Sequence, residues 1–346
     1  MTVEIKQEEM TQEEMTRNTR EEMTRKATSR SVAFKAIGWL KGQYPLFILI
    51  GLLILASLTS PAFLSIQNLT NLVLQLSVIG IVVLAELIVV ISGGIDISVG
   101  SVLGLAAVLS AGLFQGSNVF VAVLVALAVG AVLGSINGFL VAFRNIDAFI
   151  VTLGMLALAR GLVYAYTQGA PITPQDPTFP VLGSAIIAGF PVVGLFWIGA
   201  SAAIAFLLRR TVFGRRVYAV GSNRQAAYSA GTPVRTTLLA VYVLAGLLAG
   251  LGGFLLTSRV GAGTPTAGLN FELDAIAAVV IGGARLNGGY GKVFGAVVGT
   301  IIFGVITNLL VLLNVSTFYQ DALKGALILF AVLLATAGRK GAPQAH

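Results

Sequence analysis

Residues 69–102 read LTNLVLQLSVIGIVVLAELIVVISGGIDISVGSV. The run from Leu69 to Ile91 is apolar almost throughout. A helix rises about 1.5 Å per residue, so about 20 such residues cross the roughly 30 Å hydrocarbon layer of a bilayer. The run ends in a glycine pair, Gly93-Gly94, and an aspartate, Asp96, before a second apolar run starts at Val99. A backbone break at that depth is tolerated only where protein buries it or water reaches it. The stretch therefore predicts an all-α integral membrane protein whose helices surround an interruption.

Runs of the same kind recur outward from it, at about Tyr44–Thr59, Val99–Phe114, Val119–Phe143, Phe149–Tyr166, Val192–Leu208, Thr236–Leu256, Leu273–Ala284, Val293–Leu313 and Phe318–Ala335. With Leu69–Ile91 they predict about ten transmembrane helices. The third and eighth are short, and both abut a glycine-rich break. A loop rich in proline and glycine, Gln168 to Pro191, separates the fifth from the sixth.

Composition agrees. The 346 residues are 56% hydrophobic and 10% charged, with a mean hydropathy of +0.92; ordinary soluble domains carry roughly 25% charged residues. A soluble enzyme, a disordered chain and a nucleic-acid-binding module are excluded. The chain has no cysteine, and its single histidine is His346, so neither a Ser-His-Asp triad nor a thiolate or histidine metal site can be built within the membrane body. No metal and no bound cofactor is expected.

Charge divides the chain into parts. Residues 1–45 hold eight Lys/Arg and seven Asp/Glu and repeat QEEMT at 7–11 and 12–16, with REEMT at 20–24. So polar a segment buries no core and reads as a disordered tail, not a secretory signal. Residues 46–337 form the membrane domain and 338–346 a second polar tail. The net charge of +8 is explained by topology. With both termini cytoplasmic, 19 of the 22 Lys/Arg fall on the cytoplasmic side, Arg259 alone falls outside, and Arg160 and Lys324 lie within spans.

Glycines recur every fourth residue at 130, 134 and 138 and at 291, 295 and 299, with a shorter run at 246 and 250. This spacing lets helices approach closely in lipid and predicts packing within the fold. Polar residues within or beside the spans are candidates for the solute pathway: Glu86, Asp96, Asn137, Asn308 and Gln320. Asn137, Asn308 and Gln320 read first as interhelical hydrogen-bonding groups, Glu86 as facing the bundle interior or a cavity, and Asp96 as a cap at a helix edge, with Ser98 tying the turn.

Residues 209–235 are the long basic connection, RRTVFGRRVYAVGSNRQAAYSAGTPVR. Its apolar positions predict structure, with Ser222 capping a short helix from Asn223 to Ala230 that Gly231 closes. Such a helix could be gripped by a partner subunit. A third stretch, VVIGGARLNGGYGKVFG at 279–295, echoes residues 89–104 and hints at an internal repeat. No phosphate-binding G-x-x-x-x-G-K-[ST] loop occurs.

Together these stretches resemble the membrane permease subunit of bacterial ABC importers for monosaccharides, the ribose/xylose/arabinose branch. The resemblance rests on Gly93 to Gly100, on Gly214-Arg215, Tyr218-Ala219-Val220-Gly221-Ser222-Asn223, Ala226-Ala227 and Gly231, and on Gly282-Gly283, Gly288-Gly289, Asn308, Gln320 and Lys324-Gly325. It covers about residues 45–336. Ile97 stands where the family has leucine, and alanine and threonine flank Gly231. The resemblance implies an ABC-importer permease fold and a non-enzymatic transport subunit of the bacterial inner membrane. It implies a second permease, usually identical, cytoplasmic ATPase subunits that use ATP and magnesium, and an extracytoplasmic sugar-binding protein. It further implies that Arg215, Tyr218, Gly221, Asn223, Ala226, Ala227 and Gly231 couple the chain to the ATPase. Two other readings stay open: an ABC permease for another small polar solute such as a nucleoside, and an ion-coupled secondary transporter using Glu86 and Asp96.

Overall fold

The computed structural model describes residues 44–113 and 118–337. The chain divides into two units, 1–48 and 49–346, and of the first only residues 44–48 are described. The expected tails, 1–45 apart from Tyr44 and Pro45, and 338–346, lie outside the described residues.

Each of the ten expected apolar runs is helical. The helices are α1 (Tyr44–Thr59), α2 (Ile66–Ile91), α3 (Val99–Gly112), α4 (Val119–Phe143), α5 (Ala148–Thr167), α6 (Phe179–Ser184), α7 (Val192–Arg210), α8 (Val212–Ser222), α9 (Arg224–Ser229), α10 (Val234–Val260), α11 (Phe271–Ile281), α12 (Val293–Leu312) and α13 (Thr317–Ala337). Among the described residues, α2, α4, α5, α7, α10 and α12 are long and apolar enough to cross a membrane. The third and eighth runs, α3 and α11, have 14 and 11 residues. At about 1.5 Å per residue neither crosses alone. Both are half-length helices beside a glycine break.

Local chemistry sets the boundaries. Helix α2 starts three residues before the apolar run because the Ser65 hydroxyl accepts the Asn68 amide at 3.3 Å. Asn118 and Asp147 cap α4 and α5 in the same way, accepting the amides of Val121 and Phe149. The proline- and glycine-rich loop holds more order than its composition predicts. It contains α6 and a two-residue β pair, β1 (Ile186–Ile187) with β2 (Phe190–Pro191). Ser258 at the end of α10 donates to the Phe179 carbonyl at 2.5 Å, and Ile172 pairs with Gly263.

Helix α2 is the centre of the bundle; every residue from Gly80 to Ile91 is buried. Its even apolarity fits an all-round buried helix. By contrast α4, α5 and α7 leave large apolar side chains such as Phe139, Ile150 and Phe206 exposed, as lipid-facing helices do. The glycine repeats pack helix against helix. A Cβ on Gly130 would overlap the Gly246 carbonyl oxygen, and one on Gly246 would overlap that of Gly130. Gly134 meets the Tyr242 carbonyl and Gly250 that of Ala126. The second repeat joins α11 to α12, with Gly295 on Gly282 and Gly299 on Ala278.

Gly130→Ala or Gly246→Ala should therefore force α4 and α10 apart, costing about 1–3 kcal/mol as overpacking does. Gly154→Ala and Gly161→Ala, where a Cβ meets nothing within 4 Å, should leave the thermal midpoint in detergent unchanged or slightly raised. Equal midpoints for the two pairs would refute the close-contact assignment.

Candidate functional site

Two helices end in the same way. After α2, Gly93 takes φ +85° and donates to the Val90 carbonyl at 3.0 Å, while Gly94 donates to Val89 at 3.1 Å. After α11, Gly283 takes φ +87° and donates to Val280 at 2.9 Å, while Ala284 donates to Val279 at 3.1 Å. A glycine in the left-handed region turns the chain and satisfies two terminal carbonyls. The sequence echo between residues 89 and 279 is thus a repeated structural closure.

These two breaks meet. The Ile91 carbonyl accepts the Gly289 amide at 2.9 Å. Helix α8 lies over the contact at Gly221, where an added Cβ would overlap the Ile91 carbonyl oxygen and stand 2.7 Å from the Gly289 nitrogen. A Cβ on Gly288 would stand 2.6 Å from the Gly221 carbonyl oxygen and 2.7 Å from the Gly93 Cα. Tyr218, one turn earlier on α8, donates its hydroxyl to the Gly291 carbonyl at 2.7 Å. Burial pushes its phenol above the ordinary value, with Arg209 pulling partly the other way, so it remains a neutral donor. Three stretches far apart in sequence form one backbone-to-backbone junction.

The basic connection is two helices. Thr211 joins α7 to α8 by donating to the Leu207 carbonyl at 2.6 Å and accepting the Gly214 amide at 3.2 Å. The cap of α9 is Asn223, whose side chain accepts the Ala226 amide at 2.8 Å. The expected cap, Ser222, instead donates back to the Tyr218 carbonyl, because it is still inside α8. Gly231, at φ +77°, closes α9, with Thr232 donating to Ala227. One face of this pair is buried: Gly214, Val217, Val220 and Ala227, the last packed with Ala142, Val234 and Leu238. Arg215, Arg216, Arg224, Ala226 and Tyr228 are exposed. A cavity of about 490 Å³ opens beside α9, lined by Asn145, Arg224, Tyr228 and Arg235 among others.

The break after α2 is held inside protein. Asp96 accepts the amide and hydroxyl of Ser98 at 2.8 and 2.6 Å. Asn137 on α4 donates to the Ser98 hydroxyl at 3.0 Å, and Glu86 on α2 accepts the Asp96 amide at 3.4 Å. Thr152 on α5 accepts the Ile97 amide at 3.3 Å. Glu86, Asp96 and Asn137 thus come together, each no more than 3% exposed. Asn308 and Gln320 lie elsewhere. Asn308 exchanges two amide hydrogen bonds with Asn68, at 2.8 and 3.1 Å, and Gln320 donates to the Val315 carbonyl.

Sequence reading missed several partners. Thr152 and Asn68 belong to these networks, and the Tyr242 hydroxyl lies beside Gly94. Arg160 donates to the carbonyls of Pro265 and Ala267. Arg160 and Tyr242 were legible as an ionisable group and a phenol inside apolar spans; Thr152 and Asn68 carried no distinguishing signal. Among the described residues, no cluster of three or more His, Cys, Asp or Glu side chains could hold a metal ion.

A family model described as a branched-chain amino acid transport system permease component matches residues 68–332, which include both breaks and the α8–α9 connection. The chain belongs to this permease family. It is a multi-pass membrane transport component. The ribose import permease protein of Bacillus subtilis is 42% identical over 292 residues, 84% of this chain and 90% of that protein. The galactose/methyl galactoside import permease protein of Salmonella typhimurium is 37% identical, covering 86% and 94%, and the xylose transport system permease protein of Haemophilus influenzae 34% identical, covering 82% and 92%. No solved structure matches the chain.

In the permease, Tyr218→Phe should lower stability by about 1 kcal/mol, the usual net worth of a hydrogen bond. Gly221→Ala should cost more, since backbone on both sides must move. Thermal midpoints in detergent would check both; a Gly221→Ala chain as stable as the parent would contradict the junction.

Proposed function

We propose that the permease is the membrane subunit of an ATP-driven importer for a monosaccharide, a pentose or hexose. The observation that carries this reading is its identity of 34–42%, over more than four fifths of its length, to permeases named for ribose, galactose and xylose. The description of the family model points to amino acids as a second solute class. Full-length likeness to three sugar permeases outweighs a description that spans the whole family.

In this reading α8 and α9 are the coupling element. A cytoplasmic ATPase grips the exposed face with Arg215, Arg224, Ala226 and Tyr228, and closes when it binds ATP and magnesium, which this chain does not itself bind. Tyr218, Gly221 and Ala227 hold the other face, so α9 moves with the ends of α2 and α12. Asn223 and Gly231 fix the length of α9. Two permease copies, identical in this reading, rock between outward- and inward-open states. An extracytoplasmic binding protein delivers sugar to the loops at 168–191 and 259–270. In this reading both termini lie in the cytoplasm and the membrane is the bacterial inner membrane; the arginines of residues 209–235 support that orientation. Glu86, Asp96 and Asn137 brace the break that the coupling motion passes through.

Reconstitution with the ATPase and the binding protein should give ATP-dependent uptake of a pentose or hexose, unaffected by collapsing ion gradients. Uptake driven by an ion gradient without the ATPase would overturn the proposal. Arg224→Glu, and Gly231→Val at its positive φ, should each reduce uptake by about tenfold or more with insertion intact. Normal uptake in both would remove α9 from the coupling role.

A further inference from the structure

Midway along α2, at Gln75 to Ile79, five helices enclose a cavity of about 210 Å³. Its polar lining is Gln75 of α2, Arg259 of α10, Asp274 of α11, Thr300 and Thr307 of α12, and Lys324 of α13. Its apolar wall includes two phenyl rings, Phe271 and Phe303, and aliphatic side chains such as Ile79 and Leu256. Ionisable side chains inside an apolar bundle carry a solvation cost, and they persist where they serve a pathway or a partner.

The lining holds both donors and acceptors. Lys324 faces Asp274 across 3.4 Å, long beside the 2.7–2.9 Å of a tight charge-assisted bond. That separation leaves the pair open to exchange with an incoming hydroxyl. Arg259 spends one of its five N–H donors on the Leu74 carbonyl at 3.0 Å. Thr300 and Thr307 donate to the carbonyls of Ala296 and Phe303, so their oxygens remain as acceptors. Among the described residues the lining sets two cations against one carboxylate, which disfavours a metal cation or a proton-coupled site. The volume lies below the roughly 300–1,000 Å³ of drug-sized pockets and suits one small solute. A sugar hydroxyl both donates and accepts, and a sugar ring presents C–H faces that pack on phenyl groups.

We propose that this cavity is a hydroxyl-recognition site on the solute path, holding one neutral monosaccharide. Asp274 accepts from its hydroxyls and Lys324 donates to them, each exchanging their mutual contact for contacts to the solute. Arg259 and Gln75 bind further hydroxyls, and Phe303 packs on the ring. The inference rests on the reading of the permease as a sugar carrier, and its test separates the two.

The test uses the assembled importer in liposomes. The double variant Asp274→Asn with Lys324→Gln removes both members of the ion pair together, so neither is left charged without the other and folding should survive. It should keep the parent's thermal midpoint and ATP turnover while sugar moved per ATP falls about tenfold. Parental uptake by this variant would overturn the site. Because the chain has no cysteine, Ile79→Cys places one thiol on the apolar wall of the cavity. A small methanethiosulfonate reagent should label it about tenfold more slowly in the presence of the transported sugar than of a non-transported one. Unchanged labelling in an importer that takes up sugar would overturn the site and leave the proposed function standing; protection by an anionic solute and by no neutral sugar would also overturn it. Absence of ATP-dependent uptake of any monosaccharide by the parent importer would instead reject the proposed function.

Discussion

The carbonyl of Ile91 sets the terms for the rest of this molecule. A helix end inside an apolar bundle frees carbonyls that water cannot reach, and an unpaired backbone group there costs several kcal/mol. Helix α2 passes this one to the amide of Gly289, which pins the turn between α11 and α12 against it. Only a residue without a side chain can then stand at 221, because backbone occupies the space on both sides. The position of α8, and through it α9, follows from where that carbonyl's hydrogen bond goes.

The same requirement shapes the break at residues 92–98. Its amides and hydroxyls are taken up by side chains from three helices, Glu86, Asn137 and Thr152, with Asp96 tying Ser98 at the entrance to α3. The network is not saturated. Glu86 Oε2, Asn137 Oδ1 and the Tyr242 hydroxyl have no hydrogen-bond partner among the described residues, and each such buried group costs about 1–3 kcal/mol. In the proposed mechanism the bundle adopts two arrangements, and groups left open in one packing can be satisfied in the other.

Much of this was legible in the sequence. Apolar run length placed ten helices, and nine of the expected start positions lie within two residues of the observed ones. Periodic glycine correctly predicted packing within the fold. What escaped has a common cause. Ser222 looked like a cap because serine is a good one, but the cap is whichever residue leaves the helix, and Asn223 does so. The Gly221 contact was invisible because its partners, Ile91 and Gly289, are ordinary in sequence and meet only through long-range packing. The ion pair of Asp274 and Lys324 spans 50 residues, and no local pattern announces it. The polar residues at 308 and 320 were visible as polar, but which neighbour they bond depends on helix rotation.

In the proposed coupling role, the repeated closure lets one short connection act on the whole bundle. The VVI-plus-glycine segments at 89 and 279 fold to the same two hydrogen bonds and the same positive φ, and each borders a half-length helix, α3 or α11. Helix α8 touches both at once: Gly221 stands on the end of the first, and Gly288, Gly289 and Gly291 of the turn beyond the second reach Gly221, Ser222 and Tyr218. A push on α9 that moved only one repeat would have to stretch the Ile91–Gly289 bond or drive backbone into backbone. Tightly packed interfaces resist continuous deformation and move between discrete arrangements. The two repeats must therefore move together, and the glycines, by bringing backbone against backbone with no compliant side chain between, make the linkage stiff.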